Sequence, residues 1–353
     1  MHMADALISP AVGAAMYAAS AAAAGISIYR LKSEDRLRPE LTSKRLPTMA
    51  VMSSLVFAGQ MVNYTIPGTG SSGHLCGGLL LTALLGPWAG FLSMAAVLII
   101  QCLFFADGGL LALGANLWNM AFYGCFAGYY LIYRPILGAK RLKSSVKLTL
   151  ASVLGCVLSL QLGAFSVVIE TSLSGVTELP FGAFLALMQP IHLAIGAVEG
   201  LITAAVLVFV YNARPELLPD LQGSESSPGK FSLRSTLAVL AIVAAVTGGG
   251  LSLLASGNPD GLEWSLFGNS EAGYSENMGL DEDAYGIESP ASRTAGRIQD
   301  KTAFLPDYGF AGGSEEPLGT SISGIAGAAM VAVLAGLVCL CGSLLRRRGV
   351  GKK

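Results

Sequence analysis

The sequence predicts an all-α protein, a polytopic bundle of about nine transmembrane helices. Hydrophobic residues make up 53% of its 353 residues, and charged residues only 13%. Several apolar runs are longer than the roughly 18 residues that span a bilayer as a helix. Length alone would indicate two or three soluble domains, but the apolar runs exclude that class. We therefore expect a multi-pass protein of the cell (inner) membrane, embedded in the lipid bilayer.

Nine apolar runs, taken in order, are the predicted spans. They cover residues 6–29, 46–66, 72–85, 88–106, 111–133, 145–172, 180–211, 231–256 and 322–345. The third run has 14 residues, which at about 1.5 Å each barely cross a hydrocarbon core of about 30 Å. Irregular backbone at that depth is tolerated only where protein or a cavity surrounds it. The third run begins in a glycine-rich loop and is therefore predicted to form the wall of a buried site.

The basic residues predict the orientation of the bundle. Four stretches contain 19 of the 22 Lys and Arg residues, namely 30–45, 134–147, 214–234 and 346–353. Cytoplasmic loops are enriched in these residues. With nine spans, an amino terminus outside and a carboxyl terminus in the cytoplasm place all four stretches on the cytoplasmic side. The same topology puts Met1 and His74 on the external side.

A polar segment, 213–230, divides the chain into two predicted domains. It contains three prolines and is predicted to be a cytoplasmic linker. Residues 1–212 are predicted to form a membrane domain of about seven helices, and residues 231–353 a domain of two helices with an external loop, 257–320. That loop has 12 acidic and three basic residues and could concentrate cations at an entrance. A solvated, partly disordered loop is the alternative that we favour.

The amino-terminal residues carry the most specific chemistry in the chain. Apart from His2, the first basic residue is Arg30, whereas a secretory signal begins with basic residues. We therefore expect a mature, uncleaved amino terminus, with the bulky His2 hindering removal of Met1. The Met1 amine, the His2 amide nitrogen and His2 Nδ1 can close a five-membered and a six-membered ring around one metal ion. Ni(II) and Cu(II) favour such square-planar nitrogen sites.

A fourth nitrogen must come from elsewhere, and the chain has two other histidines, His74 and His192. His74 lies in a glycine-rich segment, 68–78, where the backbone can approach closely. We predict that His74 is the fourth ligand. The alternative is that His2 is an ordinary terminal residue without a ligand role.

Three more ionisable residues are candidates for orienting these ligands. His192 and Glu199 follow Pro190 in the seventh run, and their spacing of seven places them on one helix face. Ionisable residues inside a membrane are usually functional or paired. Either could orient His74, and a structural hydrogen bond within the bundle is an equal alternative. Asp5, in the terminal stretch, is the third candidate.

Several function classes find no support in the sequence. There is no basic stripe for nucleic acid, and the six cysteines all lie in apolar spans, which argues against a disulfide framework or a cysteine metal site. The chain has neither an H-E-x-x-H motif nor a G-x-S-x-G elbow. Residues 223–230 resemble a phosphate-binding loop but have the wrong spacing. We therefore predict a protein that is not an enzyme and has no cofactor, with any ATP hydrolysis in separate subunits.

Four motifs resemble a known family of metal transporters. The first three are MHMADALISP (1–10), SGHLCGG (72–78) and PIHL (190–193). They are similar to the M component, of the CbiM/NikM type, of energy-coupling-factor cobalt and nickel transporters, and this likeness covers about residues 1–212. The fourth motif, PDGLEW (259–264), resembles a second component, called N, fused here to M.

The resemblance implies both a function and a site. The M component is the substrate-specific subunit and holds its metal in a plane of four nitrogens: the terminal amine, the amide and imidazole of the second residue, and one further histidine. Carried over to this sequence, the ligand residues are Met1, His2 and His74. The implied partners are a transmembrane coupling (T/Q) protein and cytoplasmic ATPase (A/O) subunits. The N component supports loading or transport, and the planar nitrogen set places Ni(II) ahead of Co(II).

Three functional hypotheses remain at this point. The leading one is the substrate-specific component of an ATP-driven nickel or cobalt uptake transporter. The alternative is a self-sufficient, proton-coupled cation transporter with Asp107, Glu170 or Glu199 as proton relays. A third class is a membrane sensor or scaffold that transports nothing.

Overall fold

The computed structural model of the protein describes residues 1–37, 39–139, 142–221, 231–270, 273–274, 278, 280, 285–310 and 316–350. The α-helices are α1 (Pro10–Leu37), α2 (Pro39–Gln60), α3 (Gly78–Leu85), α4 (Pro87–Phe105), α5 (Leu113–Asn116), α6 (Arg134–Leu137), α7 (Ser144–Ser174), α8 (Phe181–Ala213), α9 (Leu233–Gly249), α10 (Gly261–Phe267), α11 (Pro290–Thr302) and α12 (Glu316–Val350). A π-helix, Leu117–Tyr133, joins α5 to α6. Strands β1 (Tyr64–Ile66) and β2 (Ser71–Gly73) form one antiparallel hairpin.

The long helices have the length and surface of membrane spans. Within the described part of the chain, five segments are long and apolar enough to cross a bilayer, namely Pro10–Glu34, Pro87–Phe105, Ser144–Ser174, Phe181–Ala213 and Pro317–Leu337. Large apolar side chains project outward from them, including Leu173 (72% exposed) and Val333 (62% exposed). Water-exposed protein surfaces rarely carry large apolar patches, so lipid is the natural solvent of this surface. The predicted class, an all-α polytopic membrane protein, agrees with this architecture; the count of nine spans remains a prediction.

The third predicted run is only partly helical. Its helix, α3, has eight residues, all of them buried, and measures about 12 Å at 1.5 Å per residue. The predicted start of this run, at residue 72, lies in β2 instead. The aromatic ring of Trp88, at the start of α4, lies 5.9 Å from the guanidinium of Arg30 near the basic end of α1. The chain therefore reaches that end through an extended segment followed by a half-helix.

Close packing of α7 against α8 turns two ionisable side chains inward. A Cβ on Gly200 of α8 would lie 2.4 Å from Val153 Cα on α7, and Gly196 makes a similar close approach. Small residues spaced four apart allow such contacts between membrane helices. His192 and Glu199 of α8 are each 1% exposed and face the bundle interior.

The loop of the second domain that we predict to be external is folded against the first domain. The described part of 257–320 contains α10, α11 and a short 3₁₀ turn. The Gln299 amide donates a 2.9 Å hydrogen bond to the Gly108 carbonyl, and the Ile287 N–H donates one of 2.7 Å to the Ala6 carbonyl. For these residues our preference for a solvated, partly disordered loop was wrong, because ordered contacts with the first domain replace solvent.

Part of the predicted linker lies outside the described residues. This applies to 222–230, which include all of the weak phosphate-loop match, 223–230. The preceding residues form two 3₁₀ turns, Pro215–Leu217 and Pro219–Leu221. The hydroxyl of Tyr129 donates a 2.8 Å hydrogen bond to the Asp220 carboxylate, so these turns are attached to the membrane domain.

Candidate metal site

The amino-terminal segment is buried inside the bundle. Met1 is 6% exposed and Met3 is fully buried. The side-chain amide of Asn116 pairs with the backbone of Met3 in both directions: it accepts from the Met3 N–H at 2.8 Å and donates to the Met3 carbonyl at 3.2 Å. This pairing satisfies buried polar groups of an extended segment much as a neighbouring strand would. The terminus therefore has a defined path.

Asp5 fixes the same segment from its other end. It begins a 3₁₀ turn, Asp5–Leu7, and its carboxylate accepts a 3.0 Å hydrogen bond from the Ala112 N–H. The Gly109 N–H donates a 2.9 Å bond to the Met3 carbonyl. Burial raises the pKa of Asp5. The contacts of Asp5 place it as a support for the terminal segment, whereas we had predicted that it orients a metal ligand.

The three predicted ligand residues lie in one cluster. The terminal amine of Met1 is 2.6 Å from Asp260 Oδ2, and the same oxygen is 3.9 Å from His74 Nε2. The ring centroids of His2 and His74 are 5.5 Å apart, with 43° between the ring planes. An amine and two imidazoles separated by 72 residues of sequence thus converge in a buried space.

The two imidazoles differ in orientation. His74 Nδ1 donates to the Leu75 carbonyl at 3.1 Å, so the neutral ring carries its lone pair on Nε2, which lies 3.9 Å from Asp260 Oδ2. His2 Nδ1 lies 3.3 Å from Asp107 Oδ1, and His2 Nε2 is buried without a hydrogen-bond partner among the described residues. Burial lowers the pKa of His2, which favours the neutral, metal-binding form of the ring.

Glu199 fixes the segment that carries His74. Its buried carboxylate accepts from the Cys76 N–H at 3.0 Å and from the Gly77 N–H at 2.9 Å. The Gln60 side chain donates to the Cys76 carbonyl at 2.8 Å. The sequence left open whether Glu199 orients His74 or makes a structural hydrogen bond. In the structure its contacts are to the backbone two and three residues beyond His74.

His192 forms part of the wall of the site. Its Nδ1 donates a 2.8 Å hydrogen bond to the Met188 carbonyl one turn earlier in α8. Its ring lines a cavity of about 20 Å³ together with Met1, His74 and Asp260. A cavity of this size holds about one water molecule or a small ion. His192 therefore shapes the space beside the predicted ligands.

An acidic cleft of about 520 Å³ opens beside the cluster. Its lining combines His2 with carboxylates from both domains, namely Asp5, Asp107, Asp260, Glu263 and Asp307. A concave surface of one sign of charge raises the local concentration of the opposite ion. Although burial alone would raise the pKa of Asp260, the terminal ammonium beside it holds that pKa well below its usual range, so this wall of the cleft is anionic.

Side chains alone do not complete a metal site in the described part of the chain. No group of three or more His, Cys, Asp or Glu residues there is close enough to hold an ion. The predicted set consists of two imidazoles, a terminal amine and a backbone amide. The amine and the amide are main-chain nitrogens, which a group of side chains does not include. The cluster is therefore compatible with an ion only through main-chain nitrogens.

Comparison with known proteins identifies the family. Residues 2–217 match the family CbiM, described as "Cobalt uptake substrate-specific transmembrane region". The chain belongs to the CbiM family. Residues 234–347 match a second family, described as "PDGLE domain". The resemblance seen in the sequence is thus confirmed, and this CbiM protein, with its fused PDGLE domain, is a multi-pass membrane transport component of the metal-uptake type.

The names of two relatives of this CbiM protein describe them as fused proteins. It is 39% identical over 246 residues to a putative fused nickel transport protein NikMN of Archaeoglobus fulgidus, covering 69% of this chain and 75% of the relative. It is 31% identical to the fused nickel transport protein NikMN of Rhodobacter capsulatus, covering 99% of this chain and all of that protein. A crystal structure of a truncated transition metal transporter is 30% identical, with a TM-score of 0.50, over 60% of this chain and 98% of its own.

The residues that hold the predicted ligands in place were missed. Asn116, Asp107 and Asp260 contact the terminal segment across more than 100 residues of sequence. Nothing in a single sequence links such distant positions. The one available signal was Asp260 itself, a carboxylate in the PDGLEW motif directly after an apolar run.

Proposed function

We propose that this chain is the nickel- or cobalt-binding component of an ATP-driven uptake transporter. The ion binds to four nitrogens: the Met1 amine, the His2 amide, His2 Nδ1 and His74 Nε2. The observation that carries this proposal is the convergence of the terminal amine with both imidazoles in a buried site. Four planar nitrogens favour Ni(II) over Co(II), and nickel transport is part of the names of both fused relatives given above.

Loading of the ion requires a local rearrangement of the terminus. The His2 ring turns so that Nδ1 leaves Asp107 and faces the amine. The amine, now held by Asp260, gives up a proton when it becomes a ligand. The backbone clamp from Asn116 acts on Met3, beyond the chelate, so it can persist in the loaded state.

The proposal includes the membrane topology that the basic residues predict. Nine crossings, with the amino terminus outside and the carboxyl terminus in the cytoplasm, place the site and the acidic cleft on the external face. The contact between Trp88 and Arg30 supports counting the broken third run as a crossing. A substrate-binding domain, 1–212, and a second domain, 231–353, joined by a linker, 213–230, then act with a transmembrane coupling protein and cytoplasmic ATPase subunits.

A self-sufficient proton-coupled transporter has less support. Its predicted relays already have structural partners. Glu199 accepts two backbone N–H groups, Glu170 accepts from the Asn119 amide at 2.7 Å, and Asp107 accepts from the Tyr308 hydroxyl at 2.5 Å. These contacts explain the carboxylates without proton transfer.

A single change at the terminus tests the proposed chelate. A protein with extra residues before Met1 has no free amine at this position, whereas one with a tag after Lys353 keeps it. We expect the carboxyl-terminally tagged protein to bind one Ni(II) and the amino-terminally extended protein to bind none, as measured by metal analysis after gel filtration. Tight nickel binding by the extended protein would show that the chelate is wrong.

A further inference from the structure

The PDGLE motif forms a turn that closes over the candidate metal site. The Pro259 carbonyl accepts a 2.8 Å hydrogen bond from the Ser72 N–H, two residues before His74. Asp260 then caps α10: its Oδ1 accepts from the N–H groups of Leu262 and Glu263 at 2.8 and 2.9 Å. The motif is therefore attached both to the β-hairpin and to the helix that follows it.

The two carboxylate oxygens of Asp260 make different contacts. Because Oδ1 is held by the helix cap, the carboxylate cannot rotate freely. Its Oδ2 is consequently fixed 2.6 Å from the Met1 amine and 3.9 Å from His74 Nε2. A capping box adds to this restraint, since the Asp260 N–H donates to Glu263 Oε2 at 3.3 Å.

The glycine of the motif allows the turn to come this close. A Cβ on Gly261 would lie 2.7 Å from Ile195 Cδ1 and 3.1 Å from His192 Cε1. Both neighbours are buried on α8, so a side chain at this position would push the turn away from the site. Only glycine combines this backbone path with direct contact to the wall.

We propose that Asp260 is the positioning residue of the metal site: it seats the Met1 amine beside His74 in the metal-free protein and faces the bound ion afterwards. The proposal rests on the chelate proposed above. The same fixed oxygen lies next to two of the four donors, so it neighbours the cation in either state. The PDGLE domain thus contributes a wall and a counter-charge to a site whose ligands all belong to the CbiM domain.

Chemical labelling of the terminal amine tests the seating directly. In the full-length, metal-free protein in detergent, we expect Met1 to react slowly with an amine acylating reagent. Asp260→Asn keeps an oxygen for the helix cap but places an NH₂ group against the amine, and it should label at least ten-fold faster. The control, Asp300→Asn, makes the same change at an exposed position of the same domain and should label like the parent. Mass spectrometry of the amino-terminal peptide gives the rates.

A second pair of variants keeps the test decisive if the first variant folds poorly. Gly261→Ala should displace the turn and also speed labelling of Met1. Gly257→Ala should not, because a Cβ there meets nothing within 4 Å. Slow, parent-like labelling of Met1 in Asp260→Asn or, where that variant does not fold, in Gly261→Ala would overturn the proposal.

Nickel titration separates this inference from the proposed function. We expect Asp260→Asn to bind Ni(II) at least ten-fold more weakly than the parent, while Asp300→Asn binds normally. If the amino-terminally extended protein binds nickel, the chelate itself is wrong. If that protein loses nickel while Asp260→Asn keeps parent affinity and parent labelling, the chelate stands and the role of Asp260 is refuted.

Discussion

His2 is the predicted ligand whose ring must turn to form the proposed chelate. In the structure its Nδ1 faces Asp107, and its buried Nε2 lacks a partner among the described residues. A buried polar atom without a hydrogen bond costs about 1–3 kcal/mol. Asp107 is in turn held by Tyr308, whose φ of 61° lies in the left-handed region and is unfavourable for a side chain of this size. We propose that turning the His2 ring toward the Met1 amine on loading releases the Asp107 contact and gives the ring a new partner.

Removing either imidazole should abolish stoichiometric nickel binding. Loss of a residue that orients a metal ligand typically lowers the metal affinity by about 10- to 100-fold. Because His2 and His74 are predicted to be ligands themselves, we expect His2→Ala and His74→Ala each to lower the Ni(II) affinity by at least about 100-fold. Metal analysis of purified, carboxyl-terminally tagged variants measures this effect. Retention of one Ni(II) per chain by either variant would exclude that residue as a ligand.

Nickel affinity should rise with pH. The amine and the backbone amide must each lose a proton to bind the ion. Burial lowers the pKa of His2, so that ring is already neutral near pH 7 and releases no proton. Affinity should therefore increase by up to about 100-fold per pH unit while two protons leave. Calorimetric titrations in buffers of different ionisation enthalpy count these protons, and a count of zero would contradict an amine–amide chelate.

At the scale of elements, an extended segment and a half-helix replace a full helix where His74 lies. The exposed N–H groups of such a break need acceptors inside the bundle. The Glu199 carboxylate on α8 accepts hydrogen bonds from two of these N–H groups, and the Gln60 side chain on α2 donates one to the Cys76 carbonyl. The position of His74 thus depends on two other helices, one of which, α8, is far from it in sequence.

Glu199→Gln should therefore weaken both the fold and the metal site. A glutamine has one acceptor oxygen, so either the Cys76 or the Gly77 N–H loses its partner, at a cost of about 1–3 kcal/mol. The melting temperature should fall and nickel affinity should drop by about 10- to 100-fold, as for other residues that orient a ligand. Glu288→Gln is a matched control, because the Glu288 side chain is 76% exposed. Equal melting and equal affinity in both variants would argue against this role of Glu199.

Hydropathy could predict the long spans but not the break in the third run. Residues 72–77 are as buried as a spanning helix, and an apolar run does not report whether its backbone is helical. The predicted ligand residues His2 and His74 could be named from the sequence because their chemistry and local sequence are distinctive. Asn116 and Asp260 were not, because an Asn in a helix and an Asp at a helix cap are common and their targets are more than 100 residues away.

At the scale of the whole molecule, the second domain completes an acidic cleft beside the predicted metal site, whose predicted ligands belong to the first domain. The cleft is lined by carboxylates of both domains, and the loop 257–320 contacts the amino-terminal segment through the hydrogen bond from the Ile287 N–H to the Ala6 carbonyl. Such a cleft attracts divalent cations before binding. Salt screens the electrostatic attraction of the cleft over about 8–10 Å at physiological ionic strength. We therefore expect the cleft to affect how fast an ion is captured and not how tightly the chelate holds it.

Capture alone does not move an ion across a membrane, and this chain is expected to need partners for that step. Vesicles containing only this protein should bind Ni(II) but show little uptake with ATP or with an imposed proton gradient, as measured with radioactive nickel. Addition of a transmembrane coupling protein and its ATPase subunits should produce ATP-dependent uptake, and His74→Ala should remain inactive in the same vesicles. Strong proton-driven uptake by the chain alone, lost in Glu170→Gln, would instead support the self-sufficient transporter, because that carboxylate lies between helices and outside the predicted chelate.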